Sequence, residues 1–237
     1  ADGRTYYFSH LFMVLTTDIS LWYDAAANLK GGILAEEMGL GKTVEVIALI
    51  SLNKRASQPI KADPEGLRPT GATLIITPPA ILEQWKQELN EHAPTLRVYH
   101  YNGIKRGKET TDDMIVEELA EFDVVLTTYN VIAKEIHYTG GGPQRALRHE
   151  KRFAQRKTPL VRLSWWRVCL DEAQMIESGV SNAAKVARLI PREIAWAVTG
   201  TPLRRNIDDL FGLLLFLHYE PFCFSAPLWR RLCLCFG

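Results

Sequence analysis

The sequence is poor in features that mark several specialised classes of protein. Its 237 residues include four cysteines, and no two of them have the paired spacing of a zinc site. Three of the four lie in the last fifteen residues, which is too clustered for a disulfide framework. This cysteine usage indicates a reducing, intracellular compartment. The cysteines are Cys169, Cys223, Cys233 and Cys235.

Long hydrophobic runs are also missing. The longest apolar run covers residues 210–217 and is too short to span a bilayer. The first residues contain no initiating Met and no basic segment followed by an apolar one, so they do not resemble a signal peptide. We therefore predict a soluble chain with no membrane partner that begins inside a longer protein.

The net charge is close to zero, because 28 Lys and Arg residues face 27 Asp and Glu residues. Such a chain has no overall attraction to nucleic acid or to anionic membranes, so a partner of this kind needs a local patch. Residues 145–167 are one candidate patch, and residues 109–121 are acidic. A solvated loop explains the basic segment equally well. Its basic residues are Arg145, Arg148, Lys151, Arg152, Arg156, Lys157, Arg162 and Arg167.

What is present is the composition of a globular protein. Hydrophobic residues make up 47% of the chain and aromatic residues 10%, which excludes disorder, collagen and a coiled coil. The length allows one large domain or two small ones, each able to bury a core.

Short apolar runs rich in β-branched residues alternate with helical patterns, which is typical of βαβ units and a parallel sheet. Asn206, with Asp209 three residues later, predicts the N-cap of a last helix that ends at residue 217. We expect an open α/β domain with a mostly parallel sheet and helices on both faces. The predicted strands cover residues 72–77, 97–101, 123–128, 167–171 and 195–199, and the other predicted helices cover residues 42–52, 80–91, 112–120 and 181–189.

A glycine-rich turn before an apolar helix is the most informative local pattern, and it contains Gly39, Gly41, Lys42 and Thr43. Backbone N–H groups in such a turn face a polyphosphate without interference from Cβ atoms, and the helix dipole adds a positive end. We expect Lys42 to reach the β- and γ-phosphates of such a polyphosphate, and the Thr43 hydroxyl to coordinate Mg²⁺. The strict phosphate-loop pattern needs glycine at position 36, where this chain has Glu36.

An acidic pair ends a later strand. Asp171 and Glu172 follow the apolar residues 168–170, which places both carboxylates at the carboxyl edge of a parallel sheet, where ligands bind. Asp171 is the candidate to hold Mg²⁺, and Glu172 is the candidate to orient and deprotonate the attacking water. A solvated corner is an alternative for this pair alone, and an incidental lysine is one for the turn. The two patterns together favour a nucleotide site.

Five ordered motifs resemble those of the Swi/Snf-type ATPases of helicase superfamily two. Residues 31–43 resemble motif I of that family, in which an acidic residue replaces the first glycine, so Glu36 fits the family pattern. Gln174 and its surroundings look most like the SHPRH-type branch, which combines such a motor with a RING ubiquitin ligase. The other similar segments are residues 74–85 for motif Ia, 124–129 for motif Ib, 171–174 for motif II and 199–203 for motif III.

The resemblance implies the N-terminal RecA-like lobe of a motor that uses ATP and Mg²⁺. The catalytic residues that it implies are Lys42, Asp171 and Glu172, with Thr43 and Asp171 holding the metal ion. It also suggests that Gln174 bonds a hydroxyl of motif III such as that of Thr201. The nucleotide-binding candidates are Glu37, Met38, Gly39, Leu40, Gly41, Lys42, Thr43 and Gln174.

The implied partners are double-stranded DNA or nucleosomes, the second RecA-like lobe of the parent protein and ubiquitin-conjugating machinery, and the implied location is the nucleus. Motifs Ia and Ib of such motors touch the DNA backbone, although Trp85 of motif Ia lies on an apolar helix stripe and is expected in the core. The DNA-binding candidates are Thr77, Pro78, Thr127, Thr128 and Tyr129, and the candidates that couple nucleotide state to DNA grip are Gly200, Thr201 and Pro202.

On this resemblance the chain divides into a flank of residues 1–28, a RecA-like lobe of residues 29–220 with a basic insertion at 140–160, and a truncated tail of residues 221–237. The second lobe, with its arginines, does not follow, and losing an arginine finger in related systems costs about 10³–10⁵ in rate. We therefore expect an ATPase lobe that hydrolyses ATP poorly alone. An inert module that binds nucleotide, DNA or a partner is one alternative, and an unrelated phosphate-loop NTPase is another.

Overall fold

A parallel β-sheet forms the centre of this computed structural model. The structure describes residues 3, 5–9, 14–19, 30–55, 66–104, 112–139, 156–204, 207–220, 222–224 and 226–236. Each strand pair in the sheet is parallel. The strands lie in the order β3 (Gly31–Ala35), β9 (Arg192–Thr199), β8 (Leu163–Leu170), β5 (Thr73–Thr77), β7 (Val124–Thr128) and β6 (Val98–His100).

Three short strands complete the β-structure of the described residues. Strand β4 (Arg68–Pro69) pairs in parallel with the start of β8. Strands β1 (Tyr7–Ser9) and β2 (Val14–Thr16) pair with each other in an antiparallel ribbon.

Helices cover both faces of the sheet, as predicted. One face carries α1 (Lys42–Leu52) and α2 (Leu82–His92), whose buried side chains share a core. The other carries α3 (Asp112–Ala120), α4 (Tyr129–Lys134), α5 (Asn182–Leu189) and α6 (Asp209–Leu217). A last helix, α7 (Ala226–Phe236), follows, and the 3₁₀ turns are Pro79–Ile81, Ile136–Tyr138, Pro159–Val161, Ala173–Ile176 and Phe222–Phe224.

Alternation along the strands divides the apolar side chains between the two cores. In β8, Cys169 belongs to the core under α1 and α2, while its neighbours Val168 and Leu170 belong to the opposite core. In β5, Ile75 likewise faces the first core and Ile76 the second. Successive side chains of a strand point to opposite faces, so a strand buried on both faces is apolar throughout. This explains the continuous apolar runs in the sequence.

The predicted elements are confirmed, with differences at their ends. Helices α1 and α3 have the predicted bounds. Strand β8 begins at Leu163 rather than at residue 167, because Trp165 is buried and pairs with β9. Strands β1 to β4 and helices α4 and α7 were not among the predicted elements. The predicted cap Asn206 lies outside the described residues, and α6 begins at Asp209, whose carboxylate accepts a hydrogen bond from a main-chain N–H.

The basic insertion predicted at residues 140–160 lies outside the described residues up to residue 155. The Arg156 guanidinium contacts both Asp112 carboxylate oxygens, with its Nε 2.6 Å from Oδ2. Arg162 forms an ion pair with Asp113. The acidic start of α3 therefore pairs with two arginines of the basic segment.

Arg167, which the sequence grouped with the same basic segment, lies inside the protein. It is 1% exposed within β8. Its guanidinium donates hydrogen bonds to the Thr73 hydroxyl at 2.9 Å and to the main-chain oxygen of Asn53 at 2.9 Å. Because Asn53 follows the last residue of α1, Arg167 caps the carboxyl end of that helix, where a positive charge is stabilised.

The sheet brings the carboxyl ends of its strands to one edge. Parallel strands end on the same side, so β3, β5, β7, β8 and β9 place their following loops next to one another. Within the described ranges, no helix has the length and the apolar character needed to cross a membrane.

Candidate active site

The loop between β3 and α1 has the shape expected of a phosphate loop. Gly39 and Gly41 have φ angles of 87° and 94°, in the left-handed region that favours glycine. A Cβ atom at either position would project into open space, so the main chain there is accessible. Gly41 directly precedes α1, whose first N–H groups are available to an anion at this point.

Lys42 folds back over this loop. Its Nζ donates hydrogen bonds to the main-chain oxygens of Glu36 at 2.8 Å and of Glu37 at 2.7 Å. The ammonium group is thus bound to two main-chain oxygens at the start of the same loop. Phosphate oxygens of a bound nucleotide can replace these oxygens as its hydrogen-bond acceptors. Met38 and Leu40, two further nucleotide-binding candidates, have exposed side chains on the same loop.

Asp171 follows β8 at the carboxyl edge of the sheet, as predicted. It is 8% exposed, and its main-chain N–H donates to the Ile76 oxygen at 2.9 Å. Its Oδ1 accepts the main-chain N–H of Glu172 at 2.9 Å, and its Oδ2 accepts the indole N–H of Trp85 at 2.7 Å. Burial raises the pKa of this carboxyl, while the two hydrogen bonds and the Lys42 charge act in the opposite direction.

Glu172 belongs to a chain of hydrogen bonds that crosses to strand β9. The Gln174 amide donates to Glu172 Oε2 at 2.5 Å and accepts from the Thr199 hydroxyl at 2.7 Å. Thr199 Oγ1 in turn accepts the main-chain N–H of Thr201 at 3.1 Å. The predicted link from Gln174 to motif III therefore exists, but its partner is Thr199 rather than the Thr201 hydroxyl. The reason is that Thr199 ends β9 at the same edge of the sheet.

The candidate coupling residues lie beside the phosphate loop. A Cβ atom on Gly200 would approach Met38 Cγ to 3.0 Å and the Glu36 main-chain oxygen to 3.6 Å. Glycine at position 200 thus permits the close approach of the two loops. Thr201 is exposed and Pro202 is half-buried just beyond this contact.

The DNA-binding candidates are mostly inside the protein. Thr77, Thr127 and Tyr129 are buried, and the Thr127 hydroxyl donates to the Tyr101 main-chain oxygen at 2.9 Å. Thr128 caps α4 by accepting the Val131 N–H at 3.4 Å, so its side chain has a structural role. The described conformation does not present these four threonine and tyrosine side chains to a strand of DNA.

Pro78, the remaining DNA-binding candidate, is half-buried next to the exposed residues Pro79 and Ala80. This is the loop that connects β5 to α2. Of the two candidates in motif Ia, Pro78 therefore lies nearer to the exposed surface than the buried Thr77.

Two contacts of Asp171 were missed by the reasoning from sequence. Trp85 is 2% exposed, which confirms the prediction that it is a core residue, but its N–H reaches the Asp171 carboxylate. The Tyr129 hydroxyl donates to the Asp171 main-chain oxygen at 2.8 Å. One signal was present, because a buried indole N–H normally has an acceptor. Which acceptor it meets depends on the neighbouring strands.

The donor set fits a magnesium ion held together with a nucleotide. Asp171 is buried, and the two hydrogen bonds to its carboxylate come from neutral donors rather than from a cation. No cluster of three or more potential metal-ligating side chains occurs in the described residues. Mg²⁺ commonly takes one or two carboxylates and completes its shell with phosphate oxygens and water. Asp171 and the Thr43 hydroxyl at the start of α1 are the groups that would contribute.

A glycine-rich loop at a helix N-terminus, opposite a buried acidic strand end in a parallel sheet, defines a nucleotide-binding lobe of the phosphate-loop class. Comparison with known families gives the particular group. The family described as "SNF2-related domain" matches residues 18–234, and the chain belongs to it. The family expectation from the sequence is therefore confirmed, and with it an ATPase domain of the type found in chromatin-remodelling and DNA-repair helicases.

The relatives include "Uncharacterized ATP-dependent helicase IRC20" of Saccharomyces cerevisiae, which is 37% identical over 85% of the chain and 13% of the relative. "E3 ubiquitin-protein ligase SHPRH" of Homo sapiens is 41% identical over 65% of the chain and 9% of the relative, in agreement with the predicted branch.

Among solved structures, "Sulfolobus solfataricus SWI2/SNF2 ATPase core in complex with dsDNA" is 27% identical, with a TM-score of 0.53. The match covers 84% of this chain and 33% of that one, and it confirms the predicted RecA-like fold. The chain thus spans about a tenth of the two curated relatives and a third of the solved ATPase core.

Proposed function

We propose that this chain is the ATP-binding lobe of a DNA-dependent ATPase that moves along double-stranded DNA in chromatin remodelling or DNA repair in the nucleus. The observation that carries the proposal is the continuous contact between three segments. The phosphate loop meets motif III at Gly200, and motif III meets the acidic pair through Gln174. A nucleotide bound at the phosphate loop would therefore be connected to the acidic pair by direct contacts through motif III.

Each residue of the site has a role that its position supports. Lys42 would exchange the main-chain oxygens of Glu36 and Glu37 for phosphate oxygens. Asp171 and Thr43 would hold Mg²⁺, which supplies positive charge to the phosphates when bound. Glu172, oriented by Gln174, would position the attacking water and accept its proton.

The proposed partners follow from the relatives. A solved neighbour is an ATPase core in complex with double-stranded DNA, which supports DNA or nucleosomes as the track. An E3 ubiquitin-protein ligase among the relatives supports ubiquitin-conjugating machinery as a partner of the parent protein. We propose that hydrolysis also needs the second RecA-like lobe of the parent protein, because the side chains of Lys42 and Glu172 are only half-buried within this lobe.

The first prediction tests the site in the parent protein. Lys42→Ala and Glu172→Gln should each lower DNA-stimulated ATP hydrolysis by at least about 10²-fold, because one removes the phosphate contact and the other the proton acceptor. Binding of a fluorescent ATP analogue should weaken in Lys42→Ala and persist in Glu172→Gln.

Matched controls are Lys54→Ala, at an exposed lysine beyond the far end of α1, and Glu121→Gln, at an exposed glutamate. Both should hydrolyse ATP like the wild type. Unchanged hydrolysis in Lys42→Ala and Glu172→Gln would reject the site. Nucleotide binding without hydrolysis in the wild-type parent would instead favour the inert binding module.

A further inference from the structure

Asp171 is held from both faces of the sheet by residues of two other motifs. On the face of α1 and α2, the indole N–H of Trp85 donates to Asp171 Oδ2 at 2.7 Å. On the opposite face, the Tyr129 hydroxyl donates to the main-chain oxygen of Asp171 at 2.8 Å. Trp85 thus contacts the carboxylate itself, whereas Tyr129 contacts the backbone that carries it.

These two residues belong to the segments that resemble motifs Ia and Ib. Trp85 lies in the first turns of α2, which follows the loop after Thr77. Tyr129 is the first residue of α4, directly after Thr128. Both therefore belong to the segments whose sequence predicted contact with DNA, yet their side chains end at the candidate metal-holding residue.

Trp85 contributes a hydrogen-bond donor as well as an apolar ring to the core. A phenyl ring would satisfy an apolar core position, but an indole also carries a donor that needs an acceptor when buried. Both Asp171 oxygens already have one neutral donor, from Trp85 and from the Glu172 main chain, so the carboxylate plane is fixed by hydrogen bonds at each oxygen. Each oxygen keeps a further lone pair for a metal ion or its water.

We propose that Trp85 is a positioning residue for Asp171: its indole N–H fixes the orientation in which that carboxylate receives Mg²⁺, and so ties helix α2 to the nucleotide site. The inference rests on the proposed function. Groups that orient metal-holding carboxylates typically change metal affinity or activity by about 10- to 100-fold when they are removed. Movement of the loop before α2 would then reach Asp171 through a single side chain.

The test uses the full parent protein and a fluorescent ATP analogue titrated with and without Mg²⁺. Trp85→Phe keeps an aromatic core residue and removes the donor. We expect it to lose about tenfold in affinity with Mg²⁺ present, and to change by less than about twofold without Mg²⁺. A general loss of packing would lower both affinities alike, so the ratio of the two is the diagnostic quantity.

The matched control is Trp165→Phe. Trp165 is 0% exposed, and its indole N–H donates to the Leu160 main-chain oxygen at 2.9 Å, away from the acidic pair. This variant loses an equally buried indole hydrogen bond, so it should have the wild-type ratio of affinities. If Trp85→Phe and Trp165→Phe had the same ratio of affinities with and without Mg²⁺, Trp85 would be a core residue without a positioning role, and the proposal would be overturned.

A second substitution keeps the test decisive if Trp85→Phe fails to fold. 3-Benzothienylalanine incorporated in place of Trp85 has the shape of the indole with sulfur in place of its N–H. The same selective loss of Mg²⁺-dependent affinity supports the proposal, and wild-type behaviour overturns it. If Lys42→Ala abolishes hydrolysis while this isostere binds Mg²⁺ and nucleotide normally, the proposed function stands and only the positioning role fails.

Discussion

Gln174 shows how much of the candidate site depends on single side chains. Its amide has a donor and an acceptor, and each is used: the donor orients Glu172, and the acceptor receives the Thr199 hydroxyl. A carboxylate that must accept a proton from water needs a fixed direction. Glutamine serves here as a neutral bridge between the loops that follow β8 and β9.

A prediction at the residue scale follows for Gln174→Leu in the parent protein. Leucine has a similar size and cannot bridge, so Glu172 loses its orienting donor. We expect kcat to fall about tenfold, which corresponds to about 1.4 kcal/mol, with little change in KM for ATP. The measurement is steady-state hydrolysis with DNA at saturation.

The control is Gln87→Leu, at an exposed glutamine in α2 outside motif Ia. It should leave both constants unchanged. A rise in KM alone for Gln174→Leu would assign the residue to nucleotide binding rather than to orientation of Glu172.

Glu135 joins separate elements through one buried carboxylate. It accepts hydrogen bonds from the Tyr101 hydroxyl at 2.8 Å, from the Ile104 N–H at 2.9 Å and from the Thr158 hydroxyl at 2.5 Å. These donors come from the segment after β6 and from the segment that precedes β8. Burial raises the pKa of Glu135, while the hydrogen bonds and the Arg156 charge act to lower it.

A pH dependence is the prediction at the element scale. Since the pKa of Glu135 is higher in the folded state than its ordinary value of 4.5, the folded state binds this proton more tightly. The free energy of unfolding should therefore decrease as the pH rises from about 4.5 through the folded pKa. The decrease amounts to about 1.4 kcal/mol for each pH unit between the unfolded-state and folded-state pKa values. In Glu135→Gln this contribution should be absent.

Urea unfolding of the isolated chain between about pH 4.5 and 7.5 measures the effect as the difference between wild type and Glu135→Gln. Asp171 also has a raised pKa and is present in both proteins, so its contribution cancels. Parallel pH profiles for the two proteins would show that Glu135 does not titrate with folding.

The distribution of charge over the surface depends on the fold of the whole molecule. The +1 net charge combines an acidic and a basic stretch, and the structure places parts of the two against each other. Arg156 and Arg162 meet Asp112 and Asp113, and Arg167 lies inside β8. An arginine already paired within the chain releases few counterions from DNA.

The prediction at this scale concerns the salt dependence of DNA binding by the parent protein. The double substitution Arg156→Ala and Arg162→Ala should leave the slope of log K against log [salt] unchanged. A contact with one phosphate contributes about −0.9 to that slope.

A slope that became less steep by about one or two would show that the paired arginines turn toward DNA. Such a result would support the sequence-based suggestion that residues 145–167 form a basic patch that binds DNA. The measurement is a fluorescence-anisotropy titration of a DNA duplex at several salt concentrations.

Much of the fold could be predicted because its signals are local. Helix α1 follows a glycine turn, and the strands β5, β7 and β8 are apolar runs that end in polar residues. Strand β3 was missed because its first two residues are glycines, which favour no strand by themselves, and its pairing with β9 supplies the structure. Helix α4 was missed because it has six residues and begins immediately after a strand.

The candidate site divides in the same way. Gly41, Lys42, Asp171 and Glu172 could be proposed as site residues from the sequence, because phosphate loops and acidic strand ends depend on residues adjacent in the chain. The side chains of Thr77, Thr127 and Tyr129 are buried, so their positions do not support the predicted contacts with DNA. The sequence could not show this, because a short motif does not reveal whether the end of a strand is buried.

The sequence by itself determined the class of site, since a glycine turn before a helix and two carboxylates after an apolar strand are patterns of neighbouring residues. Only the tertiary structure decided what surrounds Asp171. Trp85 and Tyr129 are 86 and 42 residues away along the chain. They reach Asp171 because β5 lies between β7 and β8 in the sheet, and α2 and α4 cover opposite faces. Contacts of this kind arise from strand order, which no local pattern contains.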